Sequence, residues 1–233
     1  MRSHPPTLLT LTRRAIERFR LFGKGDRVLA AVSGGPDSIA LVHALAILGN
    51  KMGFAVVAHG VDHGLRPEAR HELDAAAAFC EQMGVPFGRT KLRVTAGGNL
   101  QARAREARHR ALEKARVKTK AKVVATAHHA DDRAETVLIR MLRGTSVRGL
   151  GVLPPRAKDA PLVRPLFFAT RADVDLHLAR HAVPFARDPS NGDPRFLRVR
   201  VRNEVLPLLR ELNPGVVSHL CRLADELTDS EET

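Results

Sequence analysis

Aromatic and sulfur-containing side chains are scarce in this sequence. It has no tryptophan, no tyrosine, nine phenylalanines and two cysteines among 233 residues. So few aromatic rings offer few platforms on which nucleic-acid bases could stack. Cys80 and Cys221 lie far apart and form no C-x-x-C pair, so neither a thiolate zinc site nor a cysteine-held iron–sulfur cluster is supported. Cys80 lies in the apolar stretch AAAAFCEQM, where we expect it to fill part of a hydrophobic core.

Long hydrophobic runs are also missing. No apolar run approaches the length that is needed to cross a bilayer. The segment MRSHPPTLLTLTRRAIERF is interrupted by Arg13 and Arg14 and lacks the apolar core of a signal peptide. We therefore expect a cytoplasmic protein without a membrane partner. The apolar fraction of 44% and the charged fraction of 27% are ordinary for a globular protein of one large domain, with or without a small appendage.

Acidic residues are outnumbered: Asp and Glu total 25 against 38 Lys and Arg, which gives a net charge of +13. A field of that sign attracts polyanions, so nucleic acid is the favoured partner, and a merely solvated basic surface is the alternative. Many of the arginines fall into three groups: Arg103, Arg105, Arg108 and Arg110; Arg140, Arg143 and Arg148; and Arg195, Arg198, Arg200 and Arg202.

Short apolar runs alternate with segments of helical spacing. The runs predict strands at residues 27–32, 54–61, 85–94 and 122–127. Helical spacing predicts helices at residues 8–22, 37–48, 66–84, 99–117, 131–144, 170–182, 196–212 and 214–227. Residues 149–166 interrupt the pattern and predict a loop with room for an edge strand. This alternation is typical of an α/β fold, a doubly wound parallel sheet of about five strands with helices on both faces, here followed by a C-terminal helical subdomain.

The first predicted strand is followed by SGGPDS, residues Ser33 to Ser38. Gly34 and Gly35 can bring bare backbone N–H groups against an anion, and the helix that begins near Asp37 adds its positive end. This loop is suited to phosphate, although the chain has neither G-x-x-x-x-G-K-S/T nor G-x-G-x-x-G. Since a carboxylate repels phosphate, Asp37 suggests a Mg²⁺ ion that bridges to the phosphates. The alternative is an ordinary Gly/Pro turn with a helix N-cap.

A second constellation, ATAHHADDRAETVLIRMLRG, follows the fourth predicted strand. His128 and His129 end that strand, and Asp131, Asp132 and Glu135 fall on the first turns of the next helix, where the carboxylates can converge. Acidic residues at a helix N-terminus also have a simpler explanation, because they complement the helix dipole. In a doubly wound sheet the fourth strand commonly neighbours the first, so we expect both loops to face one crevice.

Three further segments add basic residues. VDHGLRPEAR follows the second predicted strand and carries Arg66. GNLQARAREARHRAL is a cationic helix with Arg103 and Arg108, which read alone is as well explained by solvation. DPSNGDPRFLRVRVRNEVLP is a turn that leads into a helix with Arg195 and Arg198. These five arginines are the candidate RNA contacts.

SGGPDS resembles the pyrophosphate-binding loop of the N-type ATP pyrophosphatases. The five segments in this order resemble the N-terminal catalytic domain of the tRNA(Ile)-lysidine synthetases, from about Arg27 to Leu209. The resemblance implies an adenine nucleotide α-hydrolase-like fold, with a PP-loop domain at residues 1–160 and a helical extension at 161–233. It also implies that the wobble cytidine of a CAU-anticodon tRNA(Ile) is adenylated by ATP at its C2 oxygen and that free L-lysine then displaces AMP.

The resemblance also implies site residues. ATP would be bound by the loop residues Ser33, Gly34, Gly35, Pro36, Asp37 and Ser38, with Mg²⁺ at Asp37. Asp132, Glu135 and His128 would be the catalytic residues, and the anticodon arm of the tRNA would be the partner of the basic surface. Members commonly carry C-terminal domains, so we expect a short form that lacks them. A homodimer is compatible with the sequence, which does not determine the oligomeric state.

The chain departs from the family pattern at three positions: Arg133 stands where glutamine is expected, Val199 where asparagine is expected, and His109 where an aromatic residue is usual. These departures leave room for an RNA-binding relative without catalysis. A second alternative is tRNA thiolation, which needs cysteine pairs that this chain lacks. A third is amide synthesis on a small molecule of the NAD or GMP synthetase type, which explains the net charge of +13 less well.

Overall fold

The computed structural model describes residues 6–62, 68–92, 100–186 and 195–229. Within them lies one five-stranded sheet in the order β3-β2-β1-β4-β5, with every neighbouring pair parallel. Its strands are β1 Arg27–Val32, β2 Ala55–Asp62, β3 Phe87–Lys91, β4 Val123–Ala125 and β5 Leu162–Val163. The strand order reverses between β1 and β4, so the loops that follow these two strands open on one crevice. The predicted fold class is confirmed.

Nine α-helices accompany the sheet in the described ranges. They are α1 Leu8–Arg18, α2 Pro36–Met52, α3 Glu68–Gln82, α4 Leu100–Lys118, α5 Ala130–Leu142, α6 Arg171–Arg180, α7 Leu197–Arg200, α8 Leu206–Leu212 and α9 Val216–Asp229. A π-helical turn, Val201–Val205, joins α7 to α8, and a 3₁₀ turn, Val147–Leu150, follows α5. Pro207 has no N–H to continue the α-helical ladder, which gives a physical reason for the irregular turn before it.

The core lies on both faces of the sheet. Val28, Leu29 and Ala30 of β1 are all completely buried, as expected of a central parallel strand covered on both sides. One face packs against α1, α2 and α6, and the other packs against α4 through a smaller cluster that includes Leu112 and Val124. Because α2 lies inside the first of these layers, it is apolar around most of its circumference.

Several predicted boundaries were too long. The predicted first helix, residues 8–22, ends at Arg18, because Arg20 adopts a φ of +46° and turns Leu21 and Phe22 into the core. There the ring of Phe22 meets that of Phe54 edge to face at 4.9 Å. The third strand, predicted at 85–94, is limited to Phe87–Lys91 in the described part of the chain. The proposed edge strand exists as β5.

Across the described ranges, no helix combines the length and the apolar character that a membrane span requires. Strand β5 and helix α6 follow residue 160, and both pack on elements that precede it: β5 pairs with β4, and α6 contacts α2. The division of the chain at residue 160 stays a prediction.

Candidate active site

The loop after β1 has the tight conformation that its glycines permit. Gly34 has a φ of +86°, and a Cβ atom on it would lie 2.8 Å from both the Cβ and the carbonyl oxygen of Glu72. The hydroxyl of Ser38 accepts from the backbone N–H of Ser33 at 3.2 Å and donates to the carbonyl of Gly35 at 2.9 Å. The loop is therefore held against α3 by close contact and closed by its own serine.

The same loop begins helix α2. Gly35 is the N-cap residue, Pro36 occupies the first turn, and no side chain caps that turn. Since the first amides of a helix have no partner within the helix, they remain available to an anion, and the helix dipole favours its negative charge. A 17-residue helix with a bare N-terminus at the end of β1 is thus suited to bind a phosphate group.

A cavity of ≈ 360 Å³ opens at this edge of the sheet. Predicted site residues from three parts of the chain line it: Ser33, Gly35, Asp37 and Ser38 of the loop, His128 and Asp132 after β4, and Arg108 of α4. Further residues of its wall are Glu72, Arg105, His109 and Arg164. The crevice expected at the reversal of strand order is therefore present and joins the two constellations.

Asp37 and His129 connect these two loops. His129 Nε2 lies 3.6 Å from an oxygen of Asp37 and 3.6 Å from an oxygen of Asp132. His129 is completely buried, which disfavours its charged form, but the carboxylates of Asp37 and Asp132 outweigh burial and raise its pKa above the usual value. The guanidinium of Arg171, at the start of α6, reaches Oδ1 of Asp37 at 2.9 Å.

Asp132 and Glu135 are bound by two arginines of the C-terminal helices. Arg198 donates to Glu135 and to Asp132 at 2.9 Å each, and Arg202 donates to Glu135 at 2.6 Å and 3.0 Å and to Asp132 at 3.3 Å. Burial favours the neutral acid of Asp132, but the positive charges of His129 and Arg198 and the backbone N–H of His129 outweigh it and lower the pKa to about 2. Asp132 is therefore ionised at neutral pH.

Glu135 is 1% exposed and, unlike Asp132, does not line the cavity. Asp131, one turn earlier in α5, is buried as well; it accepts from the backbone N–H of Arg171 at 2.9 Å and from the side chain of Arg210. The three predicted carboxylates therefore do not share one environment. Asp132 faces the cavity, whereas Glu135 faces the arginines of α7 and the π turn.

His128 lies on the wall of the cavity, where its Nδ1 is 3.0 Å from the hydroxyl of Thr126. Burial, together with the positive charges of Arg164, Arg198 and Arg108, lowers its pKa to about 4 against the opposing charge of Asp132. His128 is therefore a neutral imidazole at physiological pH. It can exchange hydrogen bonds with a ligand without adding positive charge.

The chain matches the PP-loop domain family over residues 9–209. The tRNA(Ile)-lysidine synthase of Thermobifida fusca is 39% identical over 232 residues, which cover 97% of this chain and 70% of that protein. The chain belongs to the tRNA(Ile)-lysidine synthase family of PP-loop proteins.

Other members of the tRNA(Ile)-lysidine synthase family extend well beyond this chain. The protein of Geobacter sulfurreducens is 39% identical over 91% of this chain and 46% of its own length. That of Pseudomonas aeruginosa is 37% identical over 87% of this chain and 46% of its own length. The chain thus spans about half the length of these two curated relatives.

The fold also occurs among solved structures. The U34-tRNA thiolase NcsA from Methanococcus maripaludis, solved with its 4Fe–4S cluster, superposes with a TM-score of 0.80, 21% sequence identity and coverage of 95% of this chain and 78% of that chain. At this identity the likeness concerns the fold alone.

The remaining predicted RNA contacts have different surroundings. Arg103 is half-buried on α4, and Arg195 begins the last described segment as an exposed residue. Arg198 is 44% exposed, and its guanidinium binds the carboxylates of the site. Arg66 lies outside the described residues. Their role in binding RNA stays a prediction.

Sequence reasoning missed the arginines that complete the site: Arg164, Arg171, Arg202 and Arg210. Arg202 carried a signal, because it follows Arg198 by four residues and shares a helix face with it. Arg164 and Arg171 carried none, since they follow β5 and begin α6, far in sequence from both constellations. The departure at Arg133 has a structural explanation: its guanidinium lies 4.0 Å from the ring of Phe167 and binds Asp225 and the carbonyl of Cys221.

Proposed function

We propose that this chain ligates lysine to the wobble cytidine of the CAU-anticodon tRNA(Ile), using ATP. The observation that carries the proposal is the cavity itself. It is lined by Ser33, Gly35, Asp37 and Ser38 of the loop and by His128 and Asp132, so residues of both sequence constellations face one space. Membership of the tRNA(Ile)-lysidine synthase family supports the same reaction.

The loop fits a nucleotide polyphosphate. Backbone amides at Gly34 and Gly35 and the open first turn of α2 supply donors without a side chain in the way. Phosphate bound there would lie beside the carboxylate of Asp37, which needs a counter-charge. Arg171 supplies one, and Mg²⁺ would supply another.

Asp37 also fits Mg²⁺. Its Oδ1 atom is buried and lies 2.9 Å from the guanidinium of Arg171, in an ion pair that lacks hydrogen-bond geometry. Across the described residues, no group of three or more His, Cys, Asp or Glu side chains could hold a metal by itself. Mg²⁺ is commonly bound by one or two carboxylates together with substrate phosphates, so Asp37 and ATP would share it. The ion would neutralise charge on the phosphate groups.

The reaction has two steps. The C2 oxygen of the cytidine attacks the α-phosphorus of ATP and expels pyrophosphate, and the amine of lysine then attacks C2, loses a proton and expels AMP. The loop amides would hold the departing pyrophosphate. Asp132, ionised at neutral pH, would orient the lysine amine, and neutral His128 would exchange hydrogen bonds with the cytidine. Glu135 would act from behind the cavity by positioning Arg198 and Arg202.

Thiolation is the nearest alternative within the fold, and the cysteines argue against it. Cys80 and Cys221 are both buried, and burial raises the pKa of each thiol to about 11. A thiol acts as nucleophile or metal ligand in its ionised form, so neither cysteine is suited to carry sulfur or a cluster.

The test incubates the chain with ATP, Mg²⁺, radiolabelled lysine and a tRNA(Ile) transcript bearing the CAU anticodon. We expect one lysine per RNA, mapped to the wobble cytidine, and release of AMP and pyrophosphate. The matched control is the same transcript with a GAU anticodon, which has no wobble cytidine to modify. Absence of label with the CAU transcript, while ATP still binds, would contradict the proposal and favour an RNA-binding relative.

A further inference from the structure

The arginines around the cavity fall into two kinds. Those toward the C-terminal helices are paired with carboxylates: Arg171 with Asp37, Arg198 and Arg202 with Asp132 and Glu135, and Arg210 with Asp131. On another part of the wall lie Arg105, Arg108 and Arg164, here called the arginine wall. Among the described residues, no carboxylate forms an ion pair with any of these three.

Arg164 is the most buried member of the arginine wall, at 8% exposed. It follows β5 directly, and one of its terminal nitrogens donates to the carbonyl of Pro154. Its Nε is buried without a hydrogen-bond partner. A guanidinium carries five N–H donors, so this residue enters the cavity with most of its hydrogen-bonding capacity unused.

The members of the arginine wall are close enough to repel one another. Burial lowers the pKa of Arg164 to about 10, with Arg105 and Arg133 adding to the effect. Burial and Arg105 also lower the pKa of Arg108. Burial and all three arginines lower the pKa of His109, which lies on the same helix as Arg108. His109 therefore adds no charge near neutral pH.

A buried charge without a partner is costly, and proteins retain one mainly where a ligand neutralises it. Guanidinium groups bind phosphate oxygens with two parallel hydrogen bonds, which makes arginine the preferred residue for this anion. The loop Ser33–Ser38 already offers one phosphate subsite, and the arginine wall lines the same cavity.

We propose that the arginine wall is a second phosphate subsite, distinct from the loop Ser33–Ser38. This inference rests on the proposed function, which supplies two sources of phosphate: the α-phosphate of ATP and a backbone phosphodiester next to the reacting cytidine. Either source would sit between the loop and α4 and would neutralise Arg164. The carboxylate-bound arginines have their charge already compensated and hold the site together.

The test measures three affinities for the wild-type chain and for Arg164→Gln and Arg105→Gln. The probes are inorganic pyrophosphate, ATP with Mg²⁺, and an anticodon stem-loop RNA with the CAU sequence. Arg105 is exposed, so its substitution leaves the core intact even where Arg164→Gln disturbs the contact with Pro154. Arg110→Gln is the matched control, because it removes the same charge from α4 at a side chain that is 67% exposed and paired with Glu106.

We expect each wall variant to lower the affinity for one source of phosphate by about tenfold or more, which is the effect of losing a charged hydrogen bond. Arg110→Gln should change that affinity little. Weaker binding of ATP with unchanged binding of pyrophosphate assigns the subsite to the nucleotide; weaker binding of the RNA alone assigns it to the backbone phosphodiester. Wild-type affinities of both wall variants for all three probes would overturn the inference. A wild-type chain that binds ATP and RNA but transfers no lysine would instead contradict the proposed function alone.

Discussion

Arg202 donates from Nε to Oε1 of Glu135 at 2.6 Å, across 67 residues of sequence. This contact joins the π turn to α5 and, with Arg198, compensates a carboxylate that is 1% exposed. The C-terminal helices therefore complete the site that the loops after β1 and β4 begin.

Replacing Glu135 by glutamine should cost stability and activity together. The change leaves Arg198 and Arg202 with one carboxylate instead of two, and breaking a largely buried ion pair costs about 2 kcal/mol or more. Urea unfolding measures the first effect and lysine incorporation the second. Glu204→Gln is the control, because its pair with Arg200 is exposed to solvent and contributes little to stability. Equal stabilities of the two variants would argue against this role of Glu135.

Asp37→Asn should abolish turnover and leave the affinity for tRNA nearly unchanged. The substitution removes the carboxylate proposed to share Mg²⁺ with ATP and does not remove a cation that contacts RNA. Single-turnover lysine transfer and a filter-binding titration separate the two effects. Asp175→Asn, at an exposed position of α6, is the matched control and should retain full turnover. Wild-type turnover in Asp37→Asn would refute the metal role.

Gly34→Ala should destabilise the protein more than Gly25→Ala does. Both glycines have positive φ, +86° and +81°, so both substitutions carry the cost of about 1 kcal/mol that this backbone region imposes on alanine. Only at Gly34 would the new Cβ also lie 2.8 Å from the backbone of Glu72, since nothing lies within 4 Å at Gly25. Calorimetric titration with ATP should show weaker binding for Gly34→Ala alone. Identical unfolding midpoints would show that the contact with α3 does not constrain the loop.

Acid should destabilise the packing of α2 against α6. His43 Nδ1 and His177 Nε2 lie 2.8 Å apart in the core, with His181 and Arg180 beside them. Burial and the neighbouring histidines lower the pKa of His177 from 6.5 to about 4, so both rings fold in the neutral form. The unfolded chain binds protons first, and the stability present above pH 6.5 is therefore lost as the pH falls from 6.5 toward 4.

Unfolding midpoints measured between pH 4 and 7 test this dependence. His177→Leu should flatten it, because the substitution removes the histidine whose pKa is lowered to about 4, while His219→Leu, at an exposed position of α9, should leave it as in the wild type. A wild-type chain whose stability does not change over this range would contradict a neutral, buried histidine pair.

Local sequence patterns predicted much of the fold and the two loops that form one side of the site. Apolar runs bounded by glycine, and helical spacing between them, predicted the parallel sheet, and the rule that ligands bind where strand order reverses predicted the crevice between SGGPDS and AHHADD. These inferences succeed because backbone propensity, burial on both faces and turn chemistry are encoded within a few residues. The predicted ends of helices and strands were less accurate, since the turn at Arg20 and the ends of β3 depend on packing against neighbouring layers.

The amino-acid sequence by itself determined the fold class and the family, and it identified the loop that we propose binds phosphate. Only the tertiary structure decided how the charges of the site are distributed: that Arg198 and Arg202 compensate Asp132 and Glu135, that His129 lies between Asp37 and Asp132, and that Arg164 enters the cavity without a carboxylate. The physical reason is that ion pairing and burial depend on distances between segments far apart in the chain. The net charge of +13 indicates that a polyanion is a favoured partner. Only the positions of the arginines in the folded chain show which of them are not already paired with carboxylates.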